Sequence, residues 1–259
     1  MSASGARIAG IGWWSDGLPD WAAARAFAAG GAPPTDAPAR PSPQLLAPNE
    51  RRRAPPSVAV ALEVALAACR DAGRDPASLP SVFASTHGDL GITDYMCATL
   101  AQSPADISPT KFHNSVHNAA AGYWTIGSGC MHTATAISAY RASFAQGLVE
   151  ALSQLATDAE AVLLVAYDTA ASGLLSTVTR SEGLLGAALV LARDGGGPHL
   201  RATLADGDAD DGDGPLARRA RANAMAPLLP LFDALATGAG RAALHAGPGR
   251  RLLLELEHG

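Results

Sequence analysis

The segment AVLLVAY, Ala161 to Tyr167, is apolar at every position. A strand with one wet face alternates polar and apolar residues, so an unbroken run of this length reads as a strand buried on both faces, in the middle of a mixed or parallel sheet. Such a sheet needs a covering layer on each side, and the rest of the chain supplies candidates for both. Arg7 to Trp13 reads as a first strand, and Pro19, Asp20 and Trp21 open an alanine-rich helix that Gly30 and Gly31 close. From Ser57, the three- to four-residue spacing of Val58, Leu62, Leu66 and Cys69 predicts a helix ending at Gly73. Ser81 to Thr86 is the next strand, followed by a helix through Met96 and Leu100.

Asn114 or Ser115 can cap a helix running through Val116, Ala120, Tyr123 and Trp124 to Gly127 and Gly129. His132 to Ile137 reads as a strand, and Ser138 stands at its junction with a long helix through Ala142, Ala145, Val149, Leu152 and Leu155. Further strands are expected near Gly186 to Ala192 and from Arg251 to Glu257, with one helix from about Leu216 to Ala236 between them. Strands alternating with helices predict a layered α/β fold, one α/β/α domain spanning 1–259 with helices on both sides of a mixed sheet.

Two segments lack periodicity. Residues 31–56 carry eight prolines and read as a surface loop ending in the triplet Arg51, Arg52 and Arg53. Residues 195–214 include DGDADDGDG and read as a flexible acidic loop; its glycine spacing and missing closing glutamate do not fit a calcium-binding EF-hand. The formal charge of -5 and the single lysine, Lys111, argue against nucleic acid as a partner. The amino-terminal MSASGARIAGIGWW lacks the features of a secretory signal, and no apolar stretch reaches the roughly 20 residues of a membrane helix. A cytoplasmic protein is expected. The three cysteines, Cys69, Cys97 and Cys130, are odd in number and scattered, so they read as free thiols.

Several residues are candidates for chemistry. His113 and His117 are four apart and could, with His87 or His132, be metal ligands, but hydrogen-bonded interface or capping histidines are the favoured reading because no acidic residue with ligand spacing accompanies them. No metal and no cofactor are expected. Cys130 follows Gly127, Ser128 and Gly129 and precedes His132, which raises an acyl-transferring thiol; its place before the strand favours a structural one. Ser138 is a possible acyl-binding serine or a residue that fills the turn. Trp13, Trp14, Trp21 and Trp124 read as core or interface anchors.

The succession DAGRDPASLP, VFAS with THG, SPTKFHNSVHNAAAGYWTI and the strand-turn-helix through Ser138 resembles the amino-terminal half of β-ketoacyl synthases of the thiolase fold, over roughly Arg7 to Ala192. The arginine triplet, FASTHG and SVHNAAAGYW are similar to the stand-alone chain-length factors of bacterial aryl polyene clusters. The resemblance implies a catalytic cysteine at the amino terminus of the helix after the strand, where Ser138 aligns. It also implies two histidines from a carboxy-terminal half, and that half is expected to be missing. The implied function is a non-catalytic partner of a complete ketosynthase in type II fatty acid or polyketide synthesis, bounding the growing chain across a heterodimer interface. By position, that interface would use Asn114, His117, Asn118, Ala121, Trp124, His132, Thr133 and Thr135, with Trp124 nearest the partner. Arg51, Arg52 and Arg53 would offer docking to an acyl carrier protein. A small acyltransferase or thioesterase using Ser138 or Cys130 is the alternative.

Overall fold

The computed structural model describes residues 4–258, so residues 1–3 of the amino-terminal segment considered above lie outside it. Strand β1 (Ser4–Ser15) leads to helix α1 (Trp21–Ala28), where the Asp20 carboxylate accepts from the Ala23 amide at 2.8 Å and caps the first turn. The proline-rich segment then crosses the surface and holds one short helix, α2 (Pro48–Arg53). Helix α3 (Pro56–Asp71) is followed by β2 (Ser81–Ala84) and α4 (Leu90–Gln102). Next come α5 (Pro109–His113), α6 (Ala119–Ser128) and β3 (Ala134–Ile137), then α7 (Ser143–Thr157), β4 (Ala161–Asp168) and β5 (Leu185–Ala192). Strand β6 (His199–Asp206), helices α8 (Pro215–Ala220) and α9 (Leu229–Thr237), and strands β7 (Arg241–Gly247) and β8 (Arg250–Glu257) complete the chain.

All eight strands form one sheet in the order β3-β2-β4-β5-β1-β6-β8-β7. Only the β2 pairings, to β3 and to β4, are parallel; the other five are antiparallel. The sheet is therefore mixed, and every residue of β4 and β5 is buried, as the apolar run required. On one face α3 and α6 pack Val60, Val64 and Trp124 against Phe83 and Val165. On the other, Phe144 and Leu148 of α7 join Phe232 of α9, Leu216 of α8 and Ala24 of α1 over Leu164 and Leu189. Helix α3 lies directly on β1 because Gly12 and Gly10 face it; a Cβ at either position would overlap the carbonyl oxygens of Val64 and Ala68 respectively. No helix among the described residues is long and apolar enough to cross a membrane.

The structure corrects several expectations. Residues 199–206, expected within the 195–214 loop, form β6, so the acidic loop is confined to the residues after Asp206. That strand alternates weakly and is built partly of Ala and Thr, and it is stabilised by ladders to β1 and β8 rather than by its own pattern. Strand β7, RAALHAG, is similarly cryptic. The helix expected over 216–236 is two helices, since Pro227 and Pro230 can begin a helical turn but not continue one. The helix expected from Asn114 begins only at Ala119, and residues 114–118 form a break. The break carries His117 to β2, where its Nε2 lies 2.9 Å from the Ser85 carbonyl oxygen.

Candidate functional site

Strands β2, β3 and β4 pair side by side, and the turn that follows β2 is held by one buried carboxylate at the end of β4. Asp168 closes β4 and is 1% exposed. Its Oδ1 accepts from the Ser85 hydroxyl at 2.8 Å and the His87 amide at 3.3 Å, and its Oδ2 accepts from the Thr86 amide at 2.9 Å. The Ser85 hydroxyl in turn accepts from the Gly88 amide at 2.8 Å. Asn223 reaches in from beyond α8, its Nδ2 donating to the Glu182 carbonyl at 3.0 Å and, at 3.3 Å, to that of Asp168. Burial pushes the Asp168 carboxyl above the usual carboxylate range, against the hydrogen bonds from Thr86 and Ser85 that pull it down. All its donors are backbone amides or hydroxyls of the β2 turn, so Asp168 organises the backbone there. Nothing in its surroundings makes it a base for a nucleophile.

Ser138 lies just beyond β3 and its hydroxyl donates to the Thr86 carbonyl at 2.9 Å. It therefore has no imidazole or carboxylate to take its proton, and a serine without a base is a poor nucleophile. It is also not at the helix start. The helical segment after β3 opens at Tyr140, the one non-glycine residue with positive φ (52°) among the described residues. The Ala139 amide donates to the Ser143 hydroxyl at 2.9 Å, which tightens the turn and displaces Ser138 to the strand side. The position at the amino terminus of the helix is thus filled by a tyrosine whose ring stands edge-on to His87, centroids 6.4 Å apart. Ser138, the position expected from the glycine spacing, lies two residues before this helical start.

Cys130 is buried before β3 and its thiol points to the Leu79 carbonyl at 3.3 Å, a structural contact. Cys69 is also buried, its thiol pushed up to about 12 by desolvation and then by Asp75 and Cys130. Cys97 is exposed. His113 stacks edge-on with Tyr123 at 5.8 Å, while His117 holds the Ser85 carbonyl, so the two histidines face different partners. Among the described residues no group of three or more His, Cys, Asp or Glu side chains has metal-binding geometry.

The expected interface residues separate into two sets. Trp124 is wholly buried against Phe83, 6.4 Å between centroids, so it anchors α6 to the core and does not face a partner. Ala121 and Asn114 are also buried. His132, Thr133 and Asn118 are exposed, and Thr135 is half-buried on β3, which has no strand on its outer side among the described residues. The stretch from α5 to the start of β3 also exposes large apolar residues that sequence reasoning missed: Phe112 (61% exposed), Val116 (50%), Ile126 (82%) and Met131 (95%). Three of these, with Leu45 and Tyr123, line a cavity of ≈ 570 Å³ beside α6. The arginine triplet does not act as a unit. Arg51 turns inward to the Leu46 carbonyl at 2.9 Å and Arg52 binds Asn49, which leaves Arg53 beside a different and larger cavity.

Residues 20–248 match the family described as β-ketoacyl synthase, N-terminal domain. No curated protein matches the sequence. Among solved structures, the chain is similar to one from a ketosynthase (ApeO) in complex with its chain length factor (ApeC) from Xenorhabdus doucetiae, with TM-score 0.71 and 22% identity, covering 98% of this chain and 97% of that one. A chain of the ishigamide ketosynthase/chain length factor gives TM-score 0.69 at 16% identity, covering 98% and 99%. A β-ketoacyl synthase from Burkholderia phymatum STM815 gives TM-score 0.63 at 15% identity, covering 89% of this chain and 70% of that one. At these identities the likeness is one of fold.

Proposed function

The chain belongs to the β-ketoacyl synthase amino-terminal domain family, and from that premise we propose that it is a non-catalytic subunit that pairs with a complete ketosynthase and bounds the acyl chain made there. The carrying observation is the set of exposed large apolar residues Phe112, Val116, Ile126 and Met131 in the stretch of chain that leads into the unpaired edge strand β3. Large exposed apolar side chains and an unpaired edge strand are each characteristic of an interface. Asn118, His132, Thr133 and Thr135 complete the proposed contact surface, and Ala134 and Ala136 can offer outward backbone groups to a partner strand. The helix start that would carry a nucleophile holds Tyr140 instead, and Ser138 and Cys130 both donate to backbone carbonyls, which supports a supporting role over an acyltransferase or thioesterase. Similarity in sequence motifs to chain-length factors of aryl polyene clusters points to aryl polyene synthesis in the cytoplasm, with Arg52 and Arg53 available to a carrier protein.

The test is co-expression with a ketosynthase from the same gene neighbourhood, purification through a tag on one partner, and an elongation assay on the carrier protein. A stable complex whose product length depends on this chain is expected. A ketosynthase that elongates equally well, and to the same length, without this chain would refute the proposal.

A further inference from the structure

A cavity of ≈ 720 Å³ lies apart from the β3 edge, where the end of β4, the entry to β5 and the first turn of α4 meet α5 and the proline-rich segment. Three cations from separate parts of the chain line it: Arg40, Arg53 and Lys111. None of the three side chains has a carboxylate partner among the described residues. The Lys111 ammonium sits 5.5 Å from the centre of the Tyr95 ring, which gives its stem a fixed support. The two carboxylates in the wall are already engaged. Asp89 accepts from the Ser57 hydroxyl at 2.7 Å and the Ile92 amide at 2.9 Å, and Asp16 accepts from the Leu184 amide at 3.2 Å. Three cations against these two carboxylates leave the cavity a formal net charge of +1, in a chain of formal charge -5.

We propose that this cavity binds a small organic phosphate ester, its phosphate held by Arg40, Arg53 and Lys111 and its body against the apolar part of the wall. Three cationic side chains lining one cavity suit a phosphate, which presents three acceptor oxygens and a charge near -2, better than a carboxylate with two oxygens and a single charge. Pro55, Pro56, Ile92 and Leu184 supply the apolar wall, and the volume falls in the range of small-molecule sites, about 300–1,000 Å³. The site is independent of the proposed ketosynthase pairing and is tested on the purified full chain alone.

Hexyl phosphate serves as the probe, with hexanol, hexanoate and inorganic phosphate as comparisons, in titration calorimetry at low salt. Lys111 is the one lysine of the chain, so labelling with an amine-reactive reagent and locating the label by peptide mass gives a second readout at a single site. Hexyl phosphate is expected to bind one to one and protect Lys111 from labelling, more tightly than hexanoate or inorganic phosphate, while hexanol does not bind. Lys111→Gln and Arg53→Gln, both at exposed positions, should each weaken binding about tenfold. Failure to saturate, an unprotected Lys111, variants that bind like the parent, or hexanoate binding as tightly as hexyl phosphate would each overturn the proposal.

Discussion

Asp168 shows how one side chain can hold a turn that looks catalytic. It did not stand out in the sequence, because its partners Ser85, Thr86 and His87 stand more than 80 positions away, beyond the reach of any local pattern. Asp168→Asn replaces an acceptor oxygen with an NH2 that faces the amide and hydroxyl donors of the β2 turn, so it should destabilise the fold by about 1–3 kcal/mol in urea unfolding. The pH dependence has a definite sign. The folded pKa lies above the unfolded value near 3.9, so the native state holds the proton more tightly. The stabilisation from this proton is present below the unfolded pKa and is lost as pH rises through the folded one. The stability of the parent minus that of Asp168→Asn should therefore fall as pH rises above about 4. Asp233 and Glu63 are also raised by burial, and the subtraction removes their share. A difference that grows with pH would contradict the assignment. At the adjacent turn, Ser138→Ala and Tyr140→Phe should both leave complex formation and condensation by the partner unchanged, since the Ser138 hydroxyl donates to a backbone carbonyl and no hydrogen bond joins the Tyr140 hydroxyl to an imidazole or carboxylate among the described residues; loss of turnover in either would restore a catalytic role to this chain.

At the level of elements, strong periodicity was enough to locate α3, α7, β4 and β8, because their apolar patterns coincide with what they bury. The elements that carry the candidate interface were harder to read. Val116 fits a helical pattern with Ala120 and Trp124, yet the chain breaks there so that His117 can satisfy the Ser85 carbonyl, and a tertiary hydrogen bond overrides the local preference. Trp124 and Ile126 are two residues apart on α6 and so point to different sides, one into the core and one to solvent. Sequence identified the helix but assigned its tryptophan to the wrong side. This geometry makes the pairing testable without damaging the fold. Ile126→Glu and Met131→Glu change residues that touch little, so each should alter the stability of the isolated chain by no more than about 0.5 kcal/mol. Both should abolish co-purification with the ketosynthase, because an unpaired charge would be buried at its edge. Retention of the complex by both variants would move the interface elsewhere.

Across the whole molecule, the sheet joins regions that composition separates. The change of character after Ala192, with its glycine-rich and acidic stretch, does not interrupt the sheet. Strand β6 pairs with β1, and β8 and β7 extend the sheet from it, while Phe232 of α9 packs 5.4 Å from Trp13 of β1 between ring centroids. The first and last parts of the chain therefore share one apolar layer, and its connection to the opposite layer runs through β1, whose Trp13 and Trp14 belong to different sides. A fold linked in this way should unfold as a unit. Leu254 of β8 is 1% exposed, and Leu254→Ala should cost about 2–5 kcal/mol. In a background where Trp13 and Trp21 are replaced by phenylalanine, the remaining Trp14 and Trp124 report only on the layer opposite Leu254. Their fluorescence should nevertheless lose stability by the same amount as far-ultraviolet circular dichroism records. A fluorescence midpoint that stays in place while the dichroism midpoint falls would mean that β6, β7 and β8 unfold separately from the strands that carry the candidate interface.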